Sequence, residues 1–411
     1  MSTVTETTAR NVDLPNLLAL LQQQADVRWD AVVPASSLSY QNGNLHVADG
    51  AVRITDEGVA SADAVLAPTD VFDEHVSERL GIPRQYLRRL RETGQAVDLT
   101  RSAERYFGEV DFRQVGDPAF AASLIDANVN GWLQADPDRR FLVRGFRTDD
   151  PDSVGIARAL LSNRYAPIDH LDVVTSAFKG VADAGVDPAG LQITGDLSER
   201  RLRLRVSAPE IQVLAPDLIG DYRSPFSGRS GSDLPVVFAG FVIGNSETGG
   251  GAYSVTPRIT FLVCDNGATI TKDVVREIHI GGRLDDGVVR YSEETQRKNL
   301  DLITAKTRDT VKTFLDADYV RSVLDGIREK YEIPVKDPQA TIEKVAKKHL
   351  FSDEERESIL DAFIKGGQVT AGGVFQAVTA AAQSVADPDR AAELEDVALD
   401  VLDTAAALAT A

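Results

Sequence analysis

The chain has 411 residues, 43% of them hydrophobic and 26% charged, with a formal net charge of −19. This is the composition of a globular chain with room for two or three domains, and its acid excess argues against a basic coat for non-specific nucleic-acid binding while leaving room for a local basic groove. The single cysteine, Cys264, excludes an intrachain disulfide, no apolar run reaches the roughly 20 residues of a membrane span, and the polar start MSTVTETTARNVD has no signal-peptide core. A cytoplasmic protein that does not enter the membrane is expected.

Residues 1–12 show no pattern and are expected to be disordered, and Leu14–Gln24 predicts a short helix. Short extended pieces follow at Trp29–Val33, Leu45–Val47 and Val52–Thr55, with Asn42-Gly43 as a hairpin turn. Pro68–Gly94 predicts two helices, the first capped by Thr69 and the second begun by Pro83 after the break at Gly81-Ile82. The second carries Arg84, Arg88 and Arg91 on one side, a pattern compatible with a helix-turn-helix reader and with plain helix packing. Pro118–Gln134 predicts a helix with Phe120, Leu124, Ile125, Val129 and Trp132 inward; Arg140–Arg147 and Gly155–Leu161 predict strands, Asp169–Ala184 a helix, and Leu191–Thr194 with Arg201–Val206 a hairpin.

Three β-branched runs then follow, Val236–Ile243, Ala252–Val263 and Val274–Ile280, separated by the turns Asn245–Gly251 and Asp265-Asn266-Gly267. A long helix is predicted over Ser292–Asp316, giving a strand–strand–strand–helix plan. Beyond Asp318 the signals are helical: Tyr319–Lys330, Pro338–His349, Asp353–Ile364 with the capping-box pair Ser352 and Glu355, Val374–Val385, and one acidic, alanine-rich helix over Arg390–Ala409 that reads as solvated or subunit-packing. The expected fold is α+β. A disordered start (1–12) leads to an N-terminal α/β region (13–135). An antiparallel β-rich core with its long helix (136–317) and an all-helical acidic region (318–411) complete the chain.

Three basic features bracket the β core. In Arg201-Leu202-Arg203-Leu204-Arg205-Val206 alternate residues share a face, so Arg201, Arg203 and Arg205 stand together, either as phosphate ligands or as a solvated face paired with Glu199 and Glu210. The loop Asp221–Gly231 mixes Tyr222 and Phe226 with Arg223 and Arg229, a composition suited to stacking on bases and holding a backbone, or to a surface loop whose rings tuck inward. On the long helix Leu300, Ile303, Val311 and Phe314 form one stripe, and Arg297, Lys298, Arg308 and Lys312 an adjacent basic one.

Covalent chemistry has little support. Cys264 and His279 fall on neighbouring strands as a nucleophile and base would, yet a free cysteine is commonly a small buried hydrophobe. Glu277 and His279 have the i, i+2 spacing of a metal pair but no evident third ligand, with His46, His75, His170 and His349 scattered. There is no phosphate-binding loop, Rossmann glycine pattern, CxxC or HExxH, and Gly249-Gly250-Gly251 reads as a hairpin tip. No enzyme, cofactor or metal is expected.

Several stretches nevertheless form a recognisable set: Leu80-Gly81-Ile82-Pro83-Arg84-Gln85-Tyr86, Ala127-Asn128-Val129-Asn130-Gly131-Trp132, Ala159–Asp169, Asn245-Ser246-Glu247-Thr248-Gly249, Val263-Cys264-Asp265-Asn266-Gly267 and Ile278-His279-Ile280-Gly281. In this order, from about Leu80 to Thr379, the chain resembles the phage/plasmid-like proteins of the domain of unknown function family 932. It departs from their pattern with Ile168-Asp169-His170 in place of Leu-Asp-Asn and Asp265 in place of Thr. The resemblance implies a phage or mobile-element context and no activity. The core plan also looks like that of single-strand annealing proteins, which form rings and lay DNA in a basic groove, a likeness of plan only.

The expectation is therefore a homo-oligomer that binds and anneals single-stranded DNA through Arg201, Arg203, Arg205, Arg223, Arg229, Lys298, Arg308 and Lys312, with Tyr222 and Phe226 stacking. Asn245, Glu247, Asn266, Gly267 and His279 would fix turn geometry. The alternative is a non-enzymatic structural or interaction factor with no nucleic-acid role, whose acidic C-terminal helices take a protein partner.

Overall fold

The computed structural model describes residues 6–48, 50–55, 58–93, 118–148, 150, 153–165, 167–263, 266–270, 273–277 and 293–410. Within them the chain folds as α+β, with two sheets and a helical C-terminal region.

The first sheet is built from β2 (Arg28–Pro34), β3 (Leu38–Gln41), β4 (Asn44–Val47), β7 (Ala64–Pro68), β8 (Arg140–Phe146) and β9 (Gly155–Ser162), in the order β2-β8-β9-β7-β4-β3. Only β7 and β9 run parallel among its described pairs. Asn42 and Gly43 join β3 to β4 with φ of 53° and 77°, the primed turn that Asn-Gly favours. A separate hairpin, β5 (Val52–Thr55) with β6 (Gly58–Ser61), lies between β4 and β7 in sequence.

Three helices cover one face of this sheet: α2 (Asp70–Leu80), α3 (84–93) and α4 (Pro118–Ala135). Phe72, Val76, Leu87, Ile125, Val129 and Leu133 meet Trp29, Val33, Leu66, Phe141 and Val143 there. The α4 face differs from the expected one. Ala121, Ile125, Val129 and Leu133 point inward at spacings of four, whereas Phe120 and Trp132 are exposed.

Helix α4 also closes the outer edge of the sheet. The Asn130 amide accepts from Tyr40 N at 2.7 Å and donates to Tyr40 O at 2.9 Å, and the Asp126 carboxylate accepts from Asn42 N and Gly43 N. A side chain thus stands where a neighbouring strand would.

The second sheet orders β1 (Ala9–Asp13), β10 (Gln192–Leu197), β11 (Leu202–Leu214), β12 (Val236–Asn245), β13 (Tyr253–Phe261) and β14 (Asn266–Thr269), all antiparallel, with β15 (Val275–Glu277) also on β13. Its apolar face carries Leu204, Val206, Phe241, Ile243, Val255, Ile259 and Phe261. Helices α1 (Leu14–Asp26), α5 (His170–Asp183) and α7 (Glu293–Phe314) contribute Leu17, Val173, Ala177, Ile303 and Val311 to the same core. A one-turn α6 (Pro216–Ile219) follows β11.

The C-terminal helices are α8 (Ala317–Tyr331), α9 (Pro338–Lys348), α10 (Asp353–Gly366), α11 (Ala371–Ser384), α12 (Pro388–Asp396) and α13 (Ala398–Thr410). They join that core instead of forming a separate one: α11 is buried from Ala371 to Ala382, and Phe375 meets Phe261 edge-on with centroids 5.9 Å apart. Ser352 and Glu355 form the expected capping box at α10.

Several boundaries move. Residues 9–12, expected to be disordered, form most of the edge strand β1. β8 and β9 belong to the first sheet, not to the β core expected to begin at 136. Asn266 and Gly267 are not a turn apex. They are the first ladder residues of β14, opposite Phe261 and Thr260. The single helix expected over Arg390–Ala409 breaks at Val397, and its second half is core, with Ala398, Val401, Leu402 and Ala405 buried. No helix among the described residues is long and apolar enough to cross a membrane.

Candidate functional site

Three polar assemblies lie on this frame. The first joins the two sheets. Arg144 on β8 and Arg158 on β9 emerge from otherwise apolar strands on the sheet face away from α2–α4, and both are buried. Arg144 holds Asp30 through two bonds of 3.0 Å, Asp169 at 2.7 Å and the Glu247 carbonyl at 3.1 Å. Arg158 holds the Glu247 carboxylate at 2.7 Å and lies 4.2 Å from the centroid of Phe146. Glu247 also accepts from His170 N, at the start of α5, at 2.6 Å.

In the turn that carries Glu247, Asn245 to Thr248 are buried. Asn245 donates to Ile168 O at 3.1 Å and to His170 Nδ1 at 2.9 Å. Ser246 and Thr248 donate to the carbonyls of Glu199 and Arg200 in the β10–β11 turn. Burial works against the Glu247 carboxylate, but it is overcome by His170 where that imidazole is protonated, and at pH 7 by the guanidiniums of Arg158 and Arg144 and the His170 backbone N–H, which hold its pKa below the usual range. Burial moves His170 the other way, down to about 4, so its imidazole is neutral at pH 7. Each charge named here has an opposite charge or a backbone donor against it. The network pins the halves together, and the motif stretches around Asp169 and Asn245–Gly249 converge on it. Sequence reasoning took Asn245 and Glu247 as local turn formers and missed Arg144, Arg158 and Asp30. The available signal was a lone arginine inside each of two apolar strands.

The second assembly is the arginine face of β11. Arg201, Arg203 and Arg205 do share a face, but it is neither solvated nor paired with Glu199 and Glu210. Helix α12 lies over it. Arg201 binds Asp389 at 2.7 Å, Arg203 binds Asp396 at 2.9 Å and Glu395 at 3.3 Å, and Arg205 binds Glu395 at 3.4 Å and Asp196 at 3.0 Å. Arg258 of β13 joins Glu395 at 3.5 Å. Arg203, Arg205 and Glu395 are buried, and Arg258, Arg203 and Arg205 overcome the burial of Glu395 to keep it ionised below the usual carboxylate range. Asp389, Glu395 and Asp396 of the acidic C-terminal segment thus pair within the chain.

The third is the loop Asp221–Gly231. Tyr222 is buried against Gly366, so its ring is not available to a base. The rest forms a small hairpin. Gly231 N donates to Tyr222 O at 2.8 Å, Arg223 bridges Ser230, Ser224 N donates to Arg229 O at 2.9 Å, and Gly228 turns back at φ 69°. Arg223 N donates to Gly366 O at 2.9 Å and anchors the loop to the end of α10. Phe226 is 55% exposed at the tip, and Arg223 and Arg229 are exposed on the two arms.

The remaining expected residues lie apart from these. On α7, Lys298 is exposed and pairs with Glu294, Arg308 pairs with the adjacent Asp309, and Lys312 is exposed. Cys264 and His279 lie outside the described residues, as does the side chain of Asn266.

A cavity of about 400 Å³ opens between α2, α3, the Ser198–Arg200 turn and the start of α12. Arg84 and Arg200 both reach Glu74 there, and Arg91 binds Asp73 at 2.6 Å, so the arginines expected for a helix-turn-helix reader are partly neutralised. Its wall carries more carboxylates than guanidiniums, which disfavours phosphate. No group of three potential ligands is placed for a metal ion among the described residues.

No family model, curated protein or solved structure matches this chain.

Proposed function

We propose that the protein binds single-stranded DNA without covalent chemistry, in the phage or mobile-element setting implied by its motif stretches, and that it grips the strand first with the Asp221–Gly231 hairpin. The observation that carries this reading is the exposed Phe226 ring, held on a hydrogen-bonded tip between the exposed Arg223 and Arg229. Aromatic stacking suits any base, and flanking guanidiniums suit the phosphates. A hairpin already ordered presents its ring at lower entropic cost than a loose loop. The basic side of α7, with Lys298, Arg308 and Lys312, offers a further track. Annealing by an oligomer in the cytoplasm is the fuller form of the proposal, with base pairing as its driving force.

The test is anisotropy of a labelled oligothymidylate at low and moderate salt. Phe226→Ala is expected to weaken binding by about 1–3 kcal/mol. Arg223→Ala/Arg229→Ala is expected to weaken it and flatten the salt dependence, by about 0.7 in slope per lost phosphate contact. Absence of binding at low salt retires the reading.

A second reading has its own observation. Ile364 and Val369, both exposed, lie on either side of Gly366, which anchors the same loop. With Phe226 they offer apolar surface to a protein partner, and the net charge of −19 suits a factor with no nucleic-acid role. Stable assembly without affinity for the oligonucleotide favours this alternative.

A further inference from the structure

We infer that the arginine face under α12 is a second phosphate-binding surface for the same strand, and that α12 is its resident occupant, displaced when DNA binds. The inference rests on the single-strand reading above and deepens it.

The sheet beneath α12 has the relief of a trough. Directly opposed residues of antiparallel strands share a face. The pairs Arg203–Gly244, Arg205–Val242 and Ser207–Gly240 therefore place two glycines and a valine of β12 beside the arginines. The next pairs, Gly240–Arg258, Val242–Thr256 and Gly244–Ser254, add a hydroxyl-bearing wall and a fourth arginine on β13. A low floor thus runs between the arginine row of β11 and a β13 rim that carries Arg258. Glu395 bridges the two, touching Arg203, Arg205 and Arg258.

The fit of α12 to this surface is by charge. Alternate residues of β11 stand about 6.8 Å apart, so Arg201 to Arg205 cover roughly 13 Å. Asp389 and Asp396 are separated by about 10.5 Å along the helix, and they meet Arg201 and Arg203. Glu395 extends the contact to Arg205, so carboxylates of the helix cover the whole arginine row that the phosphates of a strand would meet. The face contributes only Asp196 as a bound acid of its own among the described residues, so removing α12 exposes a strongly positive trough.

The hold of α12 is mainly ionic. Its buried apolar residues are Ala391, Ala392 and Leu394. Buried ion pairs return little net stability, because desolvation offsets their attraction. A competing polyanion makes the same bonds, so the exchange is one of like for like.

The experiment uses the full-length chain and a labelled oligothymidylate. Glu395→Gln/Asp396→Asn keeps the shape of α12 and weakens its hold. It is expected to bind about tenfold tighter than wild type at low salt, with a salt slope steeper by about 2 for three added phosphate contacts. Arg203→Ala/Arg205→Ala in that background is expected to remove the gain. In the wild-type protein, hydrogen exchange in α12 is expected to rise when the oligonucleotide is bound. Unchanged affinity in the folded amide variant overturns the inference, as does undiminished protection of α12 in the DNA complex; the hairpin reading then stands alone. If the amide variant does not fold, exchange in the wild type decides. If neither protein binds DNA, both readings fall.

Discussion

At the scale of single residues, His170 is the group whose protonation the fold resists most clearly. Burial is the main cause; Glu247 pulls the other way, and Arg158 and Arg144 reinforce burial. The unfolded imidazole takes its proton near pH 6.5 and the native one only near 4. Between those values the unfolded chain binds more protons, so stability falls as pH falls, by about 3 kcal/mol across the window. Glu247 and Glu395, with depressed native pKa values, add to the loss as pH drops below the ordinary carboxylate range. Urea midpoints measured from pH 7 to 4 are expected to decline, and His170→Asn is expected to flatten the upper part of that decline. An unchanged slope in the variant would assign it to other groups. The sequence marked His170 only as one scattered histidine, because nothing local says that Glu247, far along the chain, will stand against its amide.

At the scale of elements, α5 and α7 cross at close range because Gly180 leaves room. A Cβ at Gly180 would lie 2.4 Å from Thr304 O and 2.8 Å from Thr307 Cβ. Thr304 also donates to Ser176 O at 3.0 Å across the crossing. Gly180→Ala is expected to force the helices apart and destabilise the protein by about 1–3 kcal/mol, a drop that a urea melt reads directly. If stability holds or rises, the crossing is softer than its geometry implies. Helix positions such as α7 and α10 were legible from apolar spacing and caps. Helix facing was less so: on α4 both Trp132 and Leu133 fit an apolar stripe, and only the sheet beneath selects Leu133. The break between α12 and α13 was not legible, since alanine-rich sequence runs through it without glycine and with proline only at its start.

At the scale of the molecule, the two sheets are coupled through the buried Arg144, Arg158 and Glu247 network. Removing one partner leaves a buried charge uncompensated. Glu247→Ala is expected to cost about 3–5 kcal/mol and to separate unfolding into two transitions, one for each core. Calorimetry distinguishes this from a uniform loss, in which a single transition moves to lower temperature. The α+β class and the antiparallel core were readable from periodicity and turns. The cover on the arginine face was not, for Arg201 and Asp389 stand 188 residues apart, and strand alternation says which residues share a face without saying what lies on it. The same distance explains why the acidic tail read as a surface for other molecules.

The Asn130 amide on Tyr40 has a consequence for assembly. The outermost strand of a sheet offers a template to strands of other chains, and flat edges of this kind seed aggregation. Here β3 spends its outward groups at Tyr40 on Asn130, and the turn beyond it on Asp126. That edge is closed to strand addition, so a ring or filament of this chain has to be joined through other surfaces, the opposite edge at β2 and the edge strand β1 of the second sheet among them.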